Sequence, residues 1–171
     1  KKKNEDFLKE LDKDRAEKQY LDCLASYPTE PLALQLATQF YDLSGRSAKG
    51  TEIWREAVKE APENLSFRVM LAERVAGSGQ VEEAHAILVE AAETFGTPGA
   101  WQMLSDFQRK RGRGEEAAAS LERAVQLAGG GDDTLRFAQG DLYADLGNLE
   151  KAEAGWKVFD VVVAGISLVT N

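Results

Sequence analysis

Apolar residues recur along the chain at helical spacing, and two kinds of stripe alternate. One kind holds Leu34, Ala37 and Tyr41, then Leu71 and Val75, then Trp101 and Leu104, then Ala138 and Tyr143. The other runs small, large, small. Ala16, Gly50, Ala84, Ala117 and Ala152 are each followed four residues later by Tyr20, Trp54, Leu88, Leu121 and Trp156, and three further on by Cys23, Ala57, Ala91, Ala124 and Phe159. Offsets of four and three keep all three slots on one face of a helix. Small residues let a neighbouring backbone approach, and the large one fills the gap between them, so this face predicts a close helix crossing. Phe159 breaks the third slot.

Glycines punctuate the stripes at Gly45, Gly79, Gly112 and Gly147, separated by 34, 33 and 35 residues. A fixed period in this range marks an array of repeated supersecondary units. Each unit is then two helices joined by a glycine turn. The pattern predicts helices over residues 13–27, 31–43, 47–60, 64–77, 81–94, 98–111, 115–128, 132–146 and 149–163. Residues 1–12, "KKKNEDFLKELD", carry Phe7, Leu8 and Leu11 on one face. They read either as the first helix of an incomplete leading unit or as a forward extension of the helix after them.

Helix ends carry their own signals. Pro28 and Pro62 stand five residues beyond the third slot, with Gly96 and Gly129 at the matching places of the next two units. A residue lacking an amide proton, or free to take a left-handed conformation, suits a helix that is ending. Gly129, Gly130 and Gly131 form the longest break, and the aspartates after them can cap the next helix. Ser26, Ser44, Ser66 and Ser78 fall near ends and turns, where hydroxyls are expected to cap backbone amides. Arg109, Lys110 and Arg111 close one helix and Glu115 and Glu116 open the next, as Glu82 and Glu83 open another. Cations at a helix C-terminus and anions at an N-terminus both complement the helix dipole.

The stretches "LALQLATQFYDLSGRSAKGTEIWREAVKEAPEN" and "AWQMLSDFQRKRGRGEEAAASLERAVQL" carry all of these registers together. The pattern resembles the tetratricopeptide repeat family over roughly residues 13–160. That resemblance implies an all-α fold, a right-handed superhelical solenoid of antiparallel helix-turn-helix repeats of about 34 residues. It implies a single array with a partial unit at 1–30, units at 31–64, 65–97, 98–132 and 133–163, and an apolar tail at 164–171. Gly50 departs from the family pattern by replacing a small alanine. Arg68 and Arg136 depart from it by standing where a first helix usually opens on a large apolar residue.

In such arrays the first helix of each unit lines a concave face that holds a partner segment. The matching positions are Gln35, Gln39 and Asp42, then Val69, Glu73 and Ala76, then Gln102, Asp106 and Arg109, then Phe137, Asp141 and Ala144. Amides there can pair with a peptide backbone, Val69 and Phe137 offer apolar contact, and Arg109 with Lys110 are the cations nearest the groove edge. Family members that clamp a chaperone's terminal carboxylate use paired Lys and Asn on successive first helices. Here those pairs are Gln35 with Gln39, Val69 with Glu73, and Gln102 with Asp106, so an anionic terminus would meet acid. The subtype is rejected, and a mixed or basic protein or peptide segment suits the groove better.

Charge narrows the partners further. With 29 acidic against 21 basic residues the chain carries a formal charge of -8, which repels phosphate backbones, so nucleic acid is excluded as a partner. The 43% hydrophobic and 29% charged residues fit a folded chain and not a disordered one. One cysteine and one histidine leave no Cys/His set for zinc, and the acidic pairs are helix openings, so neither metal nor cofactor is expected. Cys23, among alanines at helical spacing, reads as a small core residue, and His85 as a surface or boundary residue. The glycine-rich "GRGEEA" and "GGGDD" lack the Lys-Ser/Thr of a phosphate loop and follow no strand. No converging nucleophile, base or carboxylate pair appears, so no catalytic residue is assigned.

The reading is therefore a non-enzymatic protein-protein interaction scaffold that holds a partner segment in its groove. An alternative is a structural or assembly section of a larger bacterial envelope-associated complex, with the apolar tail "VFDVVVAGISLVTN" making an oligomer contact with a second copy. A third is a regulatory segment of an enzyme whose catalytic domain lies elsewhere. Alanine-rich repeats with short glycine turns lean towards a bacterial chain, of the cytoplasm or the periplasm. No apolar run approaches the roughly 20 residues of a membrane helix, so any membrane contact would come through regions outside the chain. The first residue is Lys and not Met, so a targeting signal can lie outside the sequence.

Overall fold

A computed structural model of the chain describes residues 2–129 and 131–163, with side chains from 12 to 129 and 131 to 156. The described residues form nine helices: α1 (Lys2–Ser26), α2 (Pro31–Leu43), α3 (Ser47–Glu60), α4 (Leu65–Gly77), α5 (Val81–Phe95), α6 (Pro98–Lys110), α7 (Gly114–Leu127), α8 (Asp133–Asp145) and α9 (Leu149–Val163). From α2 onward each lies within about a residue of its predicted span. The segment before residue 13 joins α1 without a break, so it extends that helix forward. The apolar face of Phe7, Leu8 and Leu11, the Phe159 slot and the tail at 164–171 lie outside the described side chains.

The four turn glycines act alike. Gly45, Gly79, Gly112 and Gly147 all have φ between 71° and 90°, a left-handed conformation that costs glycine nothing. After each, the next amide reaches back five residues. Arg46 N–H donates to Tyr41 O, Gln80 to Val75, Arg113 to Gln108 and Asn148 to Tyr143, at 2.8–3.2 Å. This bond satisfies a helix-end carbonyl and turns the chain sharply. The serines behave differently from expectation. Ser26, Ser44 and Ser78 hydroxyls donate to the carbonyls of Asp22, Tyr41 and Val75, because they sit at C-terminal ends, where the orphan groups are acceptors. Amide capping falls instead to Asn64, Thr97 and Asp132.

The chain divides into two compact units, Lys1–Ala84 and His85–Asn171, with the boundary inside α5. In the first, α1 to α4 pack consecutively around Leu34, Ala37, Tyr41, Trp54, Ala57, Phe67, Leu71 and Val75, all buried. Trp54 and Phe67 meet edge-on at 5.7 Å. Phe67 fills the opening apolar position of α4 one residue before Arg68, and buried Leu135 does so before Arg136. In the second unit α6 to α9 pack consecutively over Leu104, Phe107, Ala117, Leu121, Ala124, Leu135, Leu142 and Ala152.

Cys23 is exposed, against the expectation of a core residue. Its counterpart Ala57 on α3 is closed over by α2 and α4, whereas α1 packs on α2. The slot pattern places a residue on the packing face but supplies no partner to cover it.

Candidate protein-interaction surface

In the first unit the first helices are α2 and α4, joined near their C-terminal ends by an ion pair. Arg74 on α4 grips Asp42 on α2 through both guanidinium ends, at 2.8 and 2.9 Å, and donates a third bond to Ser47 O at 3.2 Å. Arg74 holds the Asp42 carboxyl below its ordinary pKa. The guanidinium occupies the space over Gly50, where an added Cβ would lie 2.7 Å from Arg74 Nη2. The departure from the usual alanine is thus the seat of the arginine. Beside this seam opens a polar cleft of about 580 Å³, lined among others by Asp42, Ser47, Arg55, Glu73, Arg74 and Gln80.

Gln35 and Gln39 are exposed on α2, while Val69 and Glu73 on α4 are half-buried. Ala76 is buried and Asp42 is occupied by Arg74, so neither opens a free contact. Sequence reasoning passed over the exposed apolar side chains here: Leu32, Leu36 and Leu43 on α2 and Met70 on α4, with Leu36 at 42% and Met70 at 41% exposure.

In the second unit the first helices are α6 and α8. Gln102 is half-buried and Asp106, Arg109 and Lys110 are exposed on α6. Arg109 approaches Asp145 of α8 at 3.7 Å, both well exposed. On α8 Phe137 is 40% exposed, but Asp141 is half-buried and accepts a hydrogen bond from Trp156 Nε1 at 3.1 Å. Asp141 therefore ties α8 to α9. Met103 adds an exposed apolar side chain at 38%.

Leu36, Met70 and Met103 each lie nine residues before a turn glycine, and Phe137 lies ten before Gly147. Each first helix thus exposes a large apolar residue at nearly one register, and α2 exposes Leu32 and Leu43 besides. The signal was present in the sequence as apolar residues off the buried stripe, but spacing alone does not tell an exposed from a buried methionine.

His85 is half-buried, as expected of a boundary residue, in a polar cluster of the second unit. The Gln108 amide nitrogen lies 3.0 Å from His85 Nε2, its carbonyl accepts from Ser120 Oγ at 2.7 Å, and Ser105 Oγ donates to Ala117 O at 2.7 Å. Gln108, Ser105 and Ser120 are all buried, so each bond offsets a desolvated polar group. Glu116, lowered below its usual pKa chiefly by its bond to Arg113, stands 3.6 Å from His85. Among the described residues no group of three or more His, Cys, Asp or Glu side chains could hold a metal ion, and no helix is long and apolar enough to cross a membrane.

No protein-family profile matches the chain. A TPR repeat-containing protein of Methanocaldococcus jannaschii is 28% identical over 147 residues, covering 85% of the chain; the chain spans 26% of that relative's length. Among solved structures, MamA of Desulfovibrio magneticus superposes with a TM-score of 0.58 at 13% identity, covering 94% of this chain and 91% of that one. A thermophilic TPR protein of Thermus thermophilus superposes with 0.55 at 23% identity, covering 91% and 85%. At these identities the structural likenesses bear on fold alone.

Proposed function

We propose that the chain is a tetratricopeptide-repeat scaffold that holds a segment of a partner protein against the exposed faces of its first helices. The observation that carries this reading is the recurrence of an exposed large apolar residue on every first helix, Leu36 and Met70 in one unit and Met103 and Phe137 in the other. Scattered single apolar residues need no explanation, but repetition of Leu36, Met70 and Met103 at one register, with Phe137 one residue off it, on helices that also expose Gln35, Gln39 and Asp106 does. Methionine adapts its shape to irregular partners. Neighbouring amides and carboxylates supply hydrogen bonds for orientation.

The test is affinity capture followed by binding with the purified partner. Met70→Glu and Met103→Glu should each weaken that partner at least tenfold while leaving the melting temperature within about 2 °C, since exposed substitutions change stability little. Leu127→Glu, at an exposed apolar position of the second helix α7, should bind normally. If all three variants bind alike, the first helices are not the contact surface.

A further inference from the structure

Unit 1 carries a second, more apolar groove, which meets the polar cleft at Glu52. It lies between the second helices α1 and α3, with a volume of about 490 Å³. Leu34 and Ala57 form its floor, Leu21, Leu24 and Ile53 its walls. Leu21 is 49% exposed, although it belongs to the wall of an apolar trough.

The two ends of the groove differ. At one end Glu17 is saturated: it accepts hydrogen bonds from Tyr41, Arg46 and Lys49, and these donors hold its pKa down to about 2, the Arg46 bond foremost. With Arg46 and Lys49 on a single carboxylate this end of the groove is net positive, so a basic segment is steered away from it. Towards the other end the wall is a ridge of three carboxylates on α3, Glu52, Glu56 and Glu60, all exposed and spaced by four. Glu52 and Glu56 have helix-surface partners in Arg55 and Lys59, but such exposed pairs hold their charges weakly. Both α1 and α3 end beside this open mouth, at Ser26 and Glu60. Their C-terminal carbonyls add negative potential there, offset on α3 by Lys59 but not on α1, which has no basic residue in its last turn.

We infer that this groove docks a basic amphipathic helix of a partner protein. Its apolar stripe would lie on Leu21, Leu24 and Ile53, with Lys or Arg at i, i+4 and i+8 facing Glu52, Glu56 and Glu60. Carboxylates four residues apart are about 6 Å apart along a helix axis, the same rise as cations four apart on a helix laid alongside. Helix-in-groove recognition of this kind places apolar anchors in the trough and uses charge to set register. A second copy of this chain is disfavoured as occupant, because its net charge of -8 opposes the acidic rim.

The experiment measures fluorescence anisotropy of labelled 18-residue peptides on the full chain. One peptide combines a leucine stripe with lysines at i, i+4 and i+8, one is its glutamate mirror, and one keeps the lysines but has serine for leucine. The lysine-leucine peptide should bind at least tenfold tighter than either control. Glu52→Gln/Glu56→Gln/Glu60→Gln and, separately, Leu21→Asp should each weaken it at least tenfold, with helical circular dichroism retained. Met70→Glu should leave it unchanged, which separates this groove from the first-helix surface. Equal binding of the three peptides overturns the inference, as does insensitivity to Leu21→Asp or loss of binding in Met70→Glu. A dimer in light scattering that Leu21→Asp dissociates would replace the basic helix with a second copy.

Discussion

In the first unit a glycine makes room for a cation, and in the second a pair of glycines makes room for a backbone. Gly50 leaves the space that Arg74 fills, so that one guanidinium can reach Asp42 and Ser47 together. Gly155 of α9 instead lies against Gly140 of α8. A Cβ on Gly155 would stand 2.7 Å from Arg136 O and 2.8 Å from Gly140 N and Cα, all backbone. Gly50 fills the first small slot of its helix, whereas Gly155 lies three residues beyond that slot, which Ala152 fills, and the two positions differ in tolerance. A guanidinium at the end of a flexible side chain can move aside, whereas helix backbone cannot.

The largest expected effect follows from that difference. Alanine in place of glycine within a helix should stabilise by up to about 1 kcal/mol from propensity alone. Gly155→Ala should nevertheless destabilise by about 3 kcal/mol, as overpacking does when no rotamer relieves it, and the Trp156–Asp141 hydrogen bond should loosen with it. Gly99→Ala, where nothing lies within 4 Å of the added Cβ, should be neutral or slightly stabilising. Denaturant midpoints read both, and equal shifts for the two variants would remove the close crossing from the account.

The units also differ in what they bury. The first keeps its charges at the margin, around Arg74 and Glu17, whereas the second buries the uncharged side chains of Ser120 and Gln108, which lead to half-buried His85. Ser120→Ala would leave Gln108 Oε1 without its donor in a buried site and should cost about 1–2 kcal/mol. The matching surface change in unit 1, Lys49→Ala, breaks one of three bonds to Glu17 at an exposed position and should cost clearly less than Ser120→Ala. Comparable losses from the two changes in thermal unfolding would mean that burial does not set the value of these polar contacts.

How much of this could be read beforehand depended on what kind of information each feature needs. Helix spans and turns were legible because glycine spacing and apolar periodicity are local signals, and the left-handed glycines lie where they were expected. Exposure was not. Cys23 occupies a packing slot yet lies open, and Leu36, Met70 and Met103 are apolar yet outward, because coverage depends on which helix lies opposite. Asp141 matched a groove position by register, but its carboxylate is engaged by Trp156. Gly50 was visible as an anomaly in its slot; its reason, Arg74 from a helix 24 residues later in the chain, was not.

The smallest effect tests that pairing most directly. Gly50→Ala has two opposed consequences: helix propensity favours it by up to about 1 kcal/mol, and displacement of Arg74 from Asp42 opposes it by a similar amount for a partly exposed bidentate pair. The net change should therefore be near zero in the native chain. In an Arg74→Met background the opposing effect is gone, so the same substitution should become stabilising, and the difference between the two backgrounds measures the coupling. Acid supplies an independent handle with a fixed sign. The folded pKa of Asp42 is lowered from its ordinary 3.8, so the pair's contribution is fully present above that value and is lost as pH falls through the folded pKa. The coupling should persist at pH 7 and fade below about pH 3.8. If it is instead independent of pH, Arg74 occupies the Gly50 seat by packing alone and Asp42 does not hold it there.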